Sequence, residues 1–253
     1  MNKSGLVSIT FRQLSVEDII KLCVEHNLSA IEWGADQHIL PTDLKQAKHV
    51  KKLMDQNNLI SIAYGSYYRV GIENEYAFED ILKVATILDV TDIRVWAGRK
   101  GSEDVDEAYY NHVIKDFKRI SNLAQKENIR ISVEYHGKTL TDTADSALKL
   151  IQDINHDNVK LYWQPAVNLS VNERLNDLKR LLPYISNVHV FAWQNIEREP
   201  LKEQVDIWLS YRKCLDENLF DEHRYYLLEF VKDDAIEQFV EDSKTLNEIL
   251  KTV

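Results

Sequence analysis

Two residues that can transfer protons stand two positions apart at the end of a short apolar run. The segment 130–137 alternates Ile131, Val133 and Tyr135 with polar residues and closes with a glycine, which predicts a β-strand. Strand residues two apart point the same way, so Glu134 and His136 should share one face. A carboxylate beside an imidazole suits proton transfer or metal binding. On this strand alone, an ion pair for Glu134 and a turn cap for His136 are the commoner explanation.

The rest of the chain alternates short apolar runs with amphipathic helices from end to end. Predicted strands cover 6–11, 30–34, 59–64, 92–98, 130–137, 159–165, 187–193 and 224–231. Predicted helices cover 15–26, 42–56, 75–88, 106–127, 143–154, 172–184, 201–218 and 234–250. Eight units of about 32 residues predict a single (β/α)8 TIM barrel over residues 1–253, with an open doubly wound sheet as second choice. No Gly-x-Gly-x-x-Gly follows the first strand, which weakens the dinucleotide-binding version of the open sheet.

The composition narrows the class of protein. Its 44% hydrophobic and 28% charged residues are typical of a globular domain, and no segment is apolar for long enough to span a membrane. A net charge of −10 argues against nucleic acid as a partner. The start of the chain lacks a secretory pattern, and Cys23 and Cys214 suit reduced thiols, so we expect a cytoplasmic protein. The oligomeric state is open, and a homo-oligomer is compatible with the sequence.

The predicted barrel places the chemistry at one mouth. Active sites of such barrels lie at the C-terminal ends of the strands, where aromatic side chains also crowd. We therefore predict a small-molecule pocket with substrate contacts from several strand ends, although the tryptophans could instead be structural lids and Arg94 could pair with Glu32 or Glu134. The polar residues at this mouth are Glu32, Arg94, Glu134, His136, Gln164, His189 and Glu229, and the aromatic ones are Trp33, Tyr67, Trp96, Trp163 and Trp193.

Four of these residues end four consecutive strands. Glu134, Gln164, His189 and Glu229 form a mixed nitrogen and oxygen set that suits Mn²⁺, Mg²⁺, Co²⁺ or Zn²⁺. Two buried carboxylates need compensation, which a divalent cation would provide.

The chain resembles the xylose isomerase-like TIM-barrel superfamily, which includes sugar phosphate isomerases/epimerases, inosose dehydratases, 3-dehydroshikimate dehydratases and endonuclease IV. The resemblance covers essentially the full length and rests on segments 31–34, 133–136, 188–191 and 228–230. It implies one divalent metal held by Glu134, Gln164, His189 and Glu229, and it implies acid and base roles for the two glutamates. Segments 94–98, 100–102 and 139–143 are similar to the dehydroshikimate dehydratase branch in particular.

Two departures from the family pattern matter. The family aspartate on the sixth strand is Gln164 here, and the polar pair that often follows the seventh-strand histidine is replaced by Phe191 and Ala192. Both changes make the pocket less charged. A weakly metal-binding or metal-free member is therefore an open alternative.

The leading functional prediction is a metal-assisted isomerase or epimerase of a small carbohydrate or polyol. Glu134 and Glu229 would exchange a proton beside a metal-polarised carbonyl, with His136 as an orienting or proton-transfer group. The catalytic residues are thus predicted to be Glu134, Glu229 and His136, and the substrate contacts Glu32, Tyr67, Arg94, Trp96, Trp163 and Trp193. A lyase that begins with the same enolate is an alternative, and a non-catalytic carbohydrate-binding protein is another. An apurinic-site nuclease is disfavoured by the negative charge.

Overall fold

The computed structural model describes residues 3–194, 197–217 and 224–252, and its core is a closed barrel of eight parallel strands. Each strand pairs with the next along the chain, and the last pairs with the first through Leu6 and Leu228. This confirms the predicted TIM barrel. The strands are β1 (Lys3–Val7), β2 (Ala30–Gly34), β3 (Ile60–Arg69), β4 (Asp92–Trp96), β5 (Arg130–Glu134), β6 (Val159–Trp163), β7 (Ile185–Val190) and β8 (Tyr225–Leu228).

Helices follow the strands, and several of them begin directly after a residue whose side chain caps the helix. Ser15 accepts a hydrogen bond from the Asp18 backbone, and Thr143 and Ser170 each form a capping box. The helices are α1 (Val16–Glu25), α2 (Leu44–Gln56), α3 (Phe78–Leu88), α4 (Glu107–Lys126), α5 (Ala144–Ile154), α6 (Val171–Leu181), α7 (Val205–Asp216) and α8 (Ile236–Lys251).

Some predicted boundaries differ from the structure near the barrel mouth. β1 ends at Val7, and a 3₁₀ turn covers Ser8–Phe11, where a strand was expected. The Ser8 hydroxyl accepts a hydrogen bond from the Gly34 backbone at 2.9 Å, so this turn is tied to the end of β2. A small antiparallel sheet of Trp193–Gln194 and Glu197–Arg198 follows β7 and was not predicted. The predicted end of the seventh helix, at residue 218, lies outside the described residues.

Apolar side chains fill the space between the strands and the helices. A smaller apolar cluster lies directly against the polar residues of the mouth, because the ring of Tyr162 is 4.8 Å from that of His189. Cys23 and Cys214 are buried free thiols. Among the residues that the structure describes, no helix combines the length and apolar character needed to cross a membrane.

Candidate active site

A buried arginine joins two of the predicted strand-end carboxylates. Arg94 Nε donates to Glu32 Oε1 at 2.7 Å, and Arg94 Nη1 donates to Glu134 Oε2. The side chains of Arg94 and Glu32 are 2% and 0% exposed, so water does not screen their charges. Burial alone would raise the pKa of Glu32, but Arg94 and His189 lower it to about 2. The structure therefore contains the internal salt bridge that was the alternative interpretation of Arg94.

The backbone of β3 leaves room for this ion pair at a glycine. A Cβ atom on Gly65 would lie 2.7 Å from Arg94 Nη2 and 2.8 Å from Glu32 Oε1. Both distances are shorter than real Cβ contacts, so a side chain here would push the pair apart. Gly65 belongs to the site for a steric reason.

Glu134 accepts hydrogen bonds from three side chains. Arg94 Nη1 and Trp96 Nε1 donate to its Oε2 atom, and Gln164 Nε2 donates to its Oε1 atom at 3.1 Å. Burial alone would raise the pKa of Glu134, but the positive charge of Arg94, with help from His189 and His136, lowers it. Glu134 is thus a stabilised anion.

His189 lies between two other carboxylates. Its Nε2 atom is 3.3 Å from Glu32 Oε2, and its Nδ1 atom is 3.4 Å from Glu229 Oε2. Burial alone would lower the pKa of His189, but Glu229 and Glu32 raise it. The imidazole and its two neighbours therefore form a buried charge cluster beneath the mouth.

Glu229 differs from Glu134 in its surroundings. Among the described residues, its side chain has one charged neighbour in contact distance, His189, and no arginine, tryptophan or amide donor. Burial raises the pKa of Glu229, and the negative charge of Glu134 adds to this, although His189 opposes it. The next residue, Phe230, has a φ of 56°, an uncommon conformation for a bulky residue, and its backbone N–H donates to Thr10 Oγ1 at 3.2 Å. The chain therefore turns sharply just after Glu229.

These groups form the floor of a cavity of about 850 Å³. Most of the predicted site residues line it, whereas Glu32 and His189 lie beneath the lining residues. The predicted residues that line the cavity are Tyr67, Arg94, Trp96, Glu134, His136, Gln164, Trp193 and Glu229. This volume is in the range of small-molecule sites.

Two of the rim tryptophans lie elsewhere. Trp33 is fully buried and donates to Ser61 Oγ at 3.2 Å. Trp163 is 1% exposed, and its ring packs against Trp208 and Tyr211 of α7 rather than lining the cavity. Trp163, which was predicted as a substrate contact, thus has its ring toward the helical layer.

His136 presents one ring nitrogen for chemistry. Its Nδ1 atom is 2.7 Å from the carbonyl oxygen of Gly137, so in the neutral ring Nδ1 carries the proton and Nε2 is the acceptor. The ring is tilted by 37° against the ring of Trp96, with the two centroids 5.3 Å apart, and the guanidinium of Arg69 lies 4.1 Å from the Trp96 ring. His136 is therefore an oriented acid–base group at the cavity wall.

Several residues that line the cavity were not predicted as site residues. Arg12 donates to Asp36 and to the Tyr67 hydroxyl, and the backbone N–H of Ser102 donates to Asp142 at 3.0 Å. Arg12 follows the end of the predicted first strand (6–11), which was the available signal for it. Asp142 lies eight residues beyond β5 in a loop, and its signal was the segment 139–143, in which no residue was given a role.

The four predicted metal ligands do not form a complete ligand set. Among the described residues, His189 Nδ1 has no hydrogen-bond partner, and it faces oxygens of Glu229 and Glu134 at 3.4 and 4.0 Å, so three potential metal ligands converge. Gln164 differs, because its amide nitrogen donates both to Glu134 and to the carbonyl oxygen of Tyr135 at 3.0 Å. These two acceptors turn the carbonyl oxygen of Gln164 away from the carboxylate. Within residues 3–194, 197–217 and 224–252, no group of three or more His, Cys, Asp or Glu side chains has the arrangement of a metal site. The residues present therefore do not fit the four-ligand site that the resemblance implied.

Solved structures share the whole fold. The crystal structure of AsbF from Bacillus anthracis, described as a probable 3-DHS dehydratase involved in petrobactin synthesis, aligns with a TM-score of 0.79 at 20% identity, covering 98% of this chain and 99% of that one. The IolI protein with a bound zinc atom aligns at 0.76 and 16% identity, covering 98% of each chain. D-psicose 3-epimerase in the presence of D-fructose aligns at 0.74 and 15% identity, covering 97% of each.

Sequence comparison agrees with the structural similarity. A 3-dehydroshikimate dehydratase of Bacillus anthracis is 23% identical over 202 residues, which span 74% of this chain and 70% of that protein. The relatives therefore include two kinds of enzyme, a dehydratase and an epimerase. A family model described as xylose isomerase-like TIM barrel matches residues 20–225. This chain, with its closed eight-stranded barrel and its buried carboxylates at the mouth, belongs to the xylose isomerase-like TIM barrel family.

Proposed function

We propose that this chain is an enzyme that removes a proton from the carbon next to the carbonyl group of a small polyhydroxylated substrate. Isomerases, epimerases and dehydratases share this first step. The proposal is supported by the position of Glu229, whose carboxylate lines the cavity without an arginine, tryptophan or amide donor among the described residues. A general base must lie within hydrogen-bond reach of the proton that it takes, and a carboxylate that accepts few hydrogen bonds keeps more of its affinity for that proton.

The other lining residues support the same chemistry. Arg94 lies in the cavity wall as a fixed positive charge, which would stabilise the negative charge that develops as the proton leaves. His136 offers Nε2 as a second acid–base group for a substrate hydroxyl. The faces of a hydroxylated ring or chain could pack on the aromatic lining residues Tyr67, Trp96 and Trp193.

Two relatives support two different outcomes of this step. The similarity to 3-dehydroshikimate dehydratase supports a lyase that loses a β-hydroxyl group as water. The structural similarity to D-psicose 3-epimerase supports a sugar isomerase or epimerase instead. Both outcomes begin with the same enolate, so the shared step is the function that we test first.

The decisive experiment is hydrogen exchange at the substrate carbon. Purified protein is incubated in D₂O with a panel of keto-sugars, cyclic polyol ketones and hydroxylated cyclohexenones, and deuterium incorporation is followed by NMR. We expect exchange or product with at least one compound, and its loss in Glu229→Gln. A protein that binds panel compounds without exchange or product would be a carbohydrate-binding protein, and the proposed enzyme function would be wrong.

A further inference from the structure

We infer that Glu134 is a positioning residue rather than a proton-transfer group, so that Glu229 alone takes and delivers the substrate proton, on one face of the substrate. This inference rests on the proposed enolisation and narrows it. Epimerisation needs a second group that delivers a proton to the opposite face of the same carbon. The two strand-end glutamates, predicted as an acid–base pair, are not equivalent in the structure.

The hydrogen bonds of Glu134 make it a poor base. A carboxylate has about four lone-pair positions, and three of those on Glu134 already accept donors from Arg94, Trp96 and Gln164. Each donor stabilises the anion and so reduces its affinity for a proton. Protonation of Glu134 would also remove one of the two carboxylate partners of Arg94, which is 2% exposed. Removing a partner from a buried ion pair is strongly unfavourable.

Glu229 has the opposite properties. Its carboxylate lines the cavity, and the contact of 3.4 Å with His189 Nδ1 is not aligned as a hydrogen bond. It can therefore accept a proton without first giving up a donor. Both glutamates lie at the same mouth, so their difference comes from their partners and not from their depth: they are 3% and 5% exposed.

Gln164 contributes to the difference between Glu134 and Glu229. Its amide nitrogen bridges Glu134 Oε1 and the carbonyl oxygen of Tyr135, at 3.1 and 3.0 Å. A carboxylate at this position could not donate to either acceptor and would repel Glu134. The glutamine that appeared to be a weakened metal ligand is thus a hydrogen-bond donor that fixes Glu134 as an anion.

A one-base reaction balances without a further reagent. Glu229 takes the proton, the electrons of the C–H bond form the C=C bond of the enolate, and the carbonyl π electrons move to oxygen. In a dehydration, the enolate re-forms the carbonyl while the β C–O bond breaks, and the proton on Glu229 leaves with the hydroxyl as water. In an isomerisation, the enolate oxygen takes the proton of the hydroxyl group on the carbon that lost its proton, that C–O group becomes the new carbonyl, and Glu229 returns its proton to the former carbonyl carbon on the same face. The carbon that lost the proton is trigonal in both products, and it regains its original configuration whenever Glu229 returns the proton to it.

The test compares matched variants of the two glutamates, with a substrate identified by D₂O exchange. We expect Glu229→Gln to lose exchange by about 10²–10⁴-fold, the contribution typical of an acid–base group. We expect folded Glu134→Gln to lose exchange by no more than about tenfold, so that the two expected ranges do not overlap. If Glu134→Gln does not fold, Glu134→Asp and Glu229→Asp replace the pair. The first keeps the anion and should lose less than tenfold, whereas the second moves the base by about 1 Å and should lose about 10²-fold.

The configuration of substrate recovered after exchange gives a readout that a purely structural role would not affect. NMR of this recovered substrate should show no inversion at the exchanging carbon for the parent protein or for the Glu134 variants. An epimer as the product, or equal loss of exchange in folded Glu134→Asp and Glu229→Asp, would overturn the inference and leave the enolisation standing. Absence of both exchange and product with the parent protein would instead overturn the proposed function and this inference with it.

Discussion

Replacing Gly65 by alanine tests whether the buried pair of Arg94 and Glu32 is held sterically. The new methyl group would lie 2.7 Å from Arg94 Nη2 and 2.8 Å from Glu32 Oε1, so at least one side chain must move. Both side chains are buried, and their hydrogen bond of 2.7 Å leaves little room to adjust. The substitution should therefore weaken the pair without removing either charge.

The expected cost follows from two effects. Weakening a hydrogen bond between charged groups costs about 1.5–3 kcal/mol. Crowding a packed interior costs about 1–3 kcal/mol. The two overlap, because movement of the side chains relieves the crowding, so we expect Gly65→Ala to lower the free energy of unfolding by about 2–4 kcal/mol.

The assay is equilibrium urea unfolding, followed by tryptophan fluorescence and by far-UV circular dichroism. Gly137→Ala is the matched control, because a Cβ atom there would meet no atom of the described residues within 4 Å. Its free energy of unfolding should be unchanged or higher by up to about 1 kcal/mol. A Gly65→Ala protein that unfolds within about 0.5 kcal/mol of the parent would show that the pair moves freely, and the steric argument would be wrong.

Three further predictions address the metal, the tryptophans and the pH dependence. We expect Gln164→Asp to bind Mn²⁺ about tenfold more tightly than the parent, or by about 1.4 kcal/mol, because a carboxylate replaces a neutral amide. Calorimetric titration of chelator-stripped protein measures the two affinities, and equal affinities would contradict the expectation. Binding of a substrate identified by D₂O exchange should change the tryptophan fluorescence of the parent and of Trp163→Phe. The change should be smaller in Trp96→Phe, because of these two tryptophans only Trp96 lines the cavity. A smaller change in Trp163→Phe than in Trp96→Phe would contradict the placement of the rings. The pKa of Glu32 falls from its ordinary value of 4.5 to about 2 on folding, because Arg94 and His189 outweigh burial. The stabilisation from its charge is therefore complete above about pH 4.5 and is lost as the pH falls toward 2, so the difference in unfolding free energy between the parent and Glu32→Gln should shrink over that range in urea titrations.

The fold could be predicted because its signals are local and repeated. Alternating apolar runs and helical patterns marked all eight units, and the predicted helix starts at residues 15 and 143 lie within one residue of the starts of α1 and α5. The end of β1 was wrong because the contact that turns the chain, from Ser8 to Gly34, joins two distant segments. A pattern within one strand carries no information about such a contact.

The sequence predicted which residues lie at the mouth better than it predicted the direction in which their side chains point. Strand-end position was enough to gather Glu32, Arg94 and Glu134 at one mouth. The alternation rule could also have placed Trp33, because neighbouring strand residues face opposite sides, so Trp33 must point away if Glu32 points in. By the same rule, Trp96 shares the face of Arg94, which agrees with the cavity that both line. Strand β6 has the sequence Val-Lys-Leu-Tyr-Trp, which does not alternate clearly between polar and apolar residues. The sequence therefore did not indicate which of its side chains face the barrel interior.

The meaning of Gln164 depends on a neighbour that the sequence does not reveal. Counted alone, it is an aspartate replaced by a neutral residue, which suggests a weakened metal site. In the structure its amide lies 3.1 Å from Glu134 Oε1, a distance at which two carboxylates cannot both stay ionised without a cation between them. The amide removes that requirement at this contact, because it is itself a donor. The glutamine therefore has two effects: it makes a cation between the two side chains unnecessary, and it stabilises the charged form of Glu134. Glu134 could act as a metal ligand or as a base only if both effects were removed.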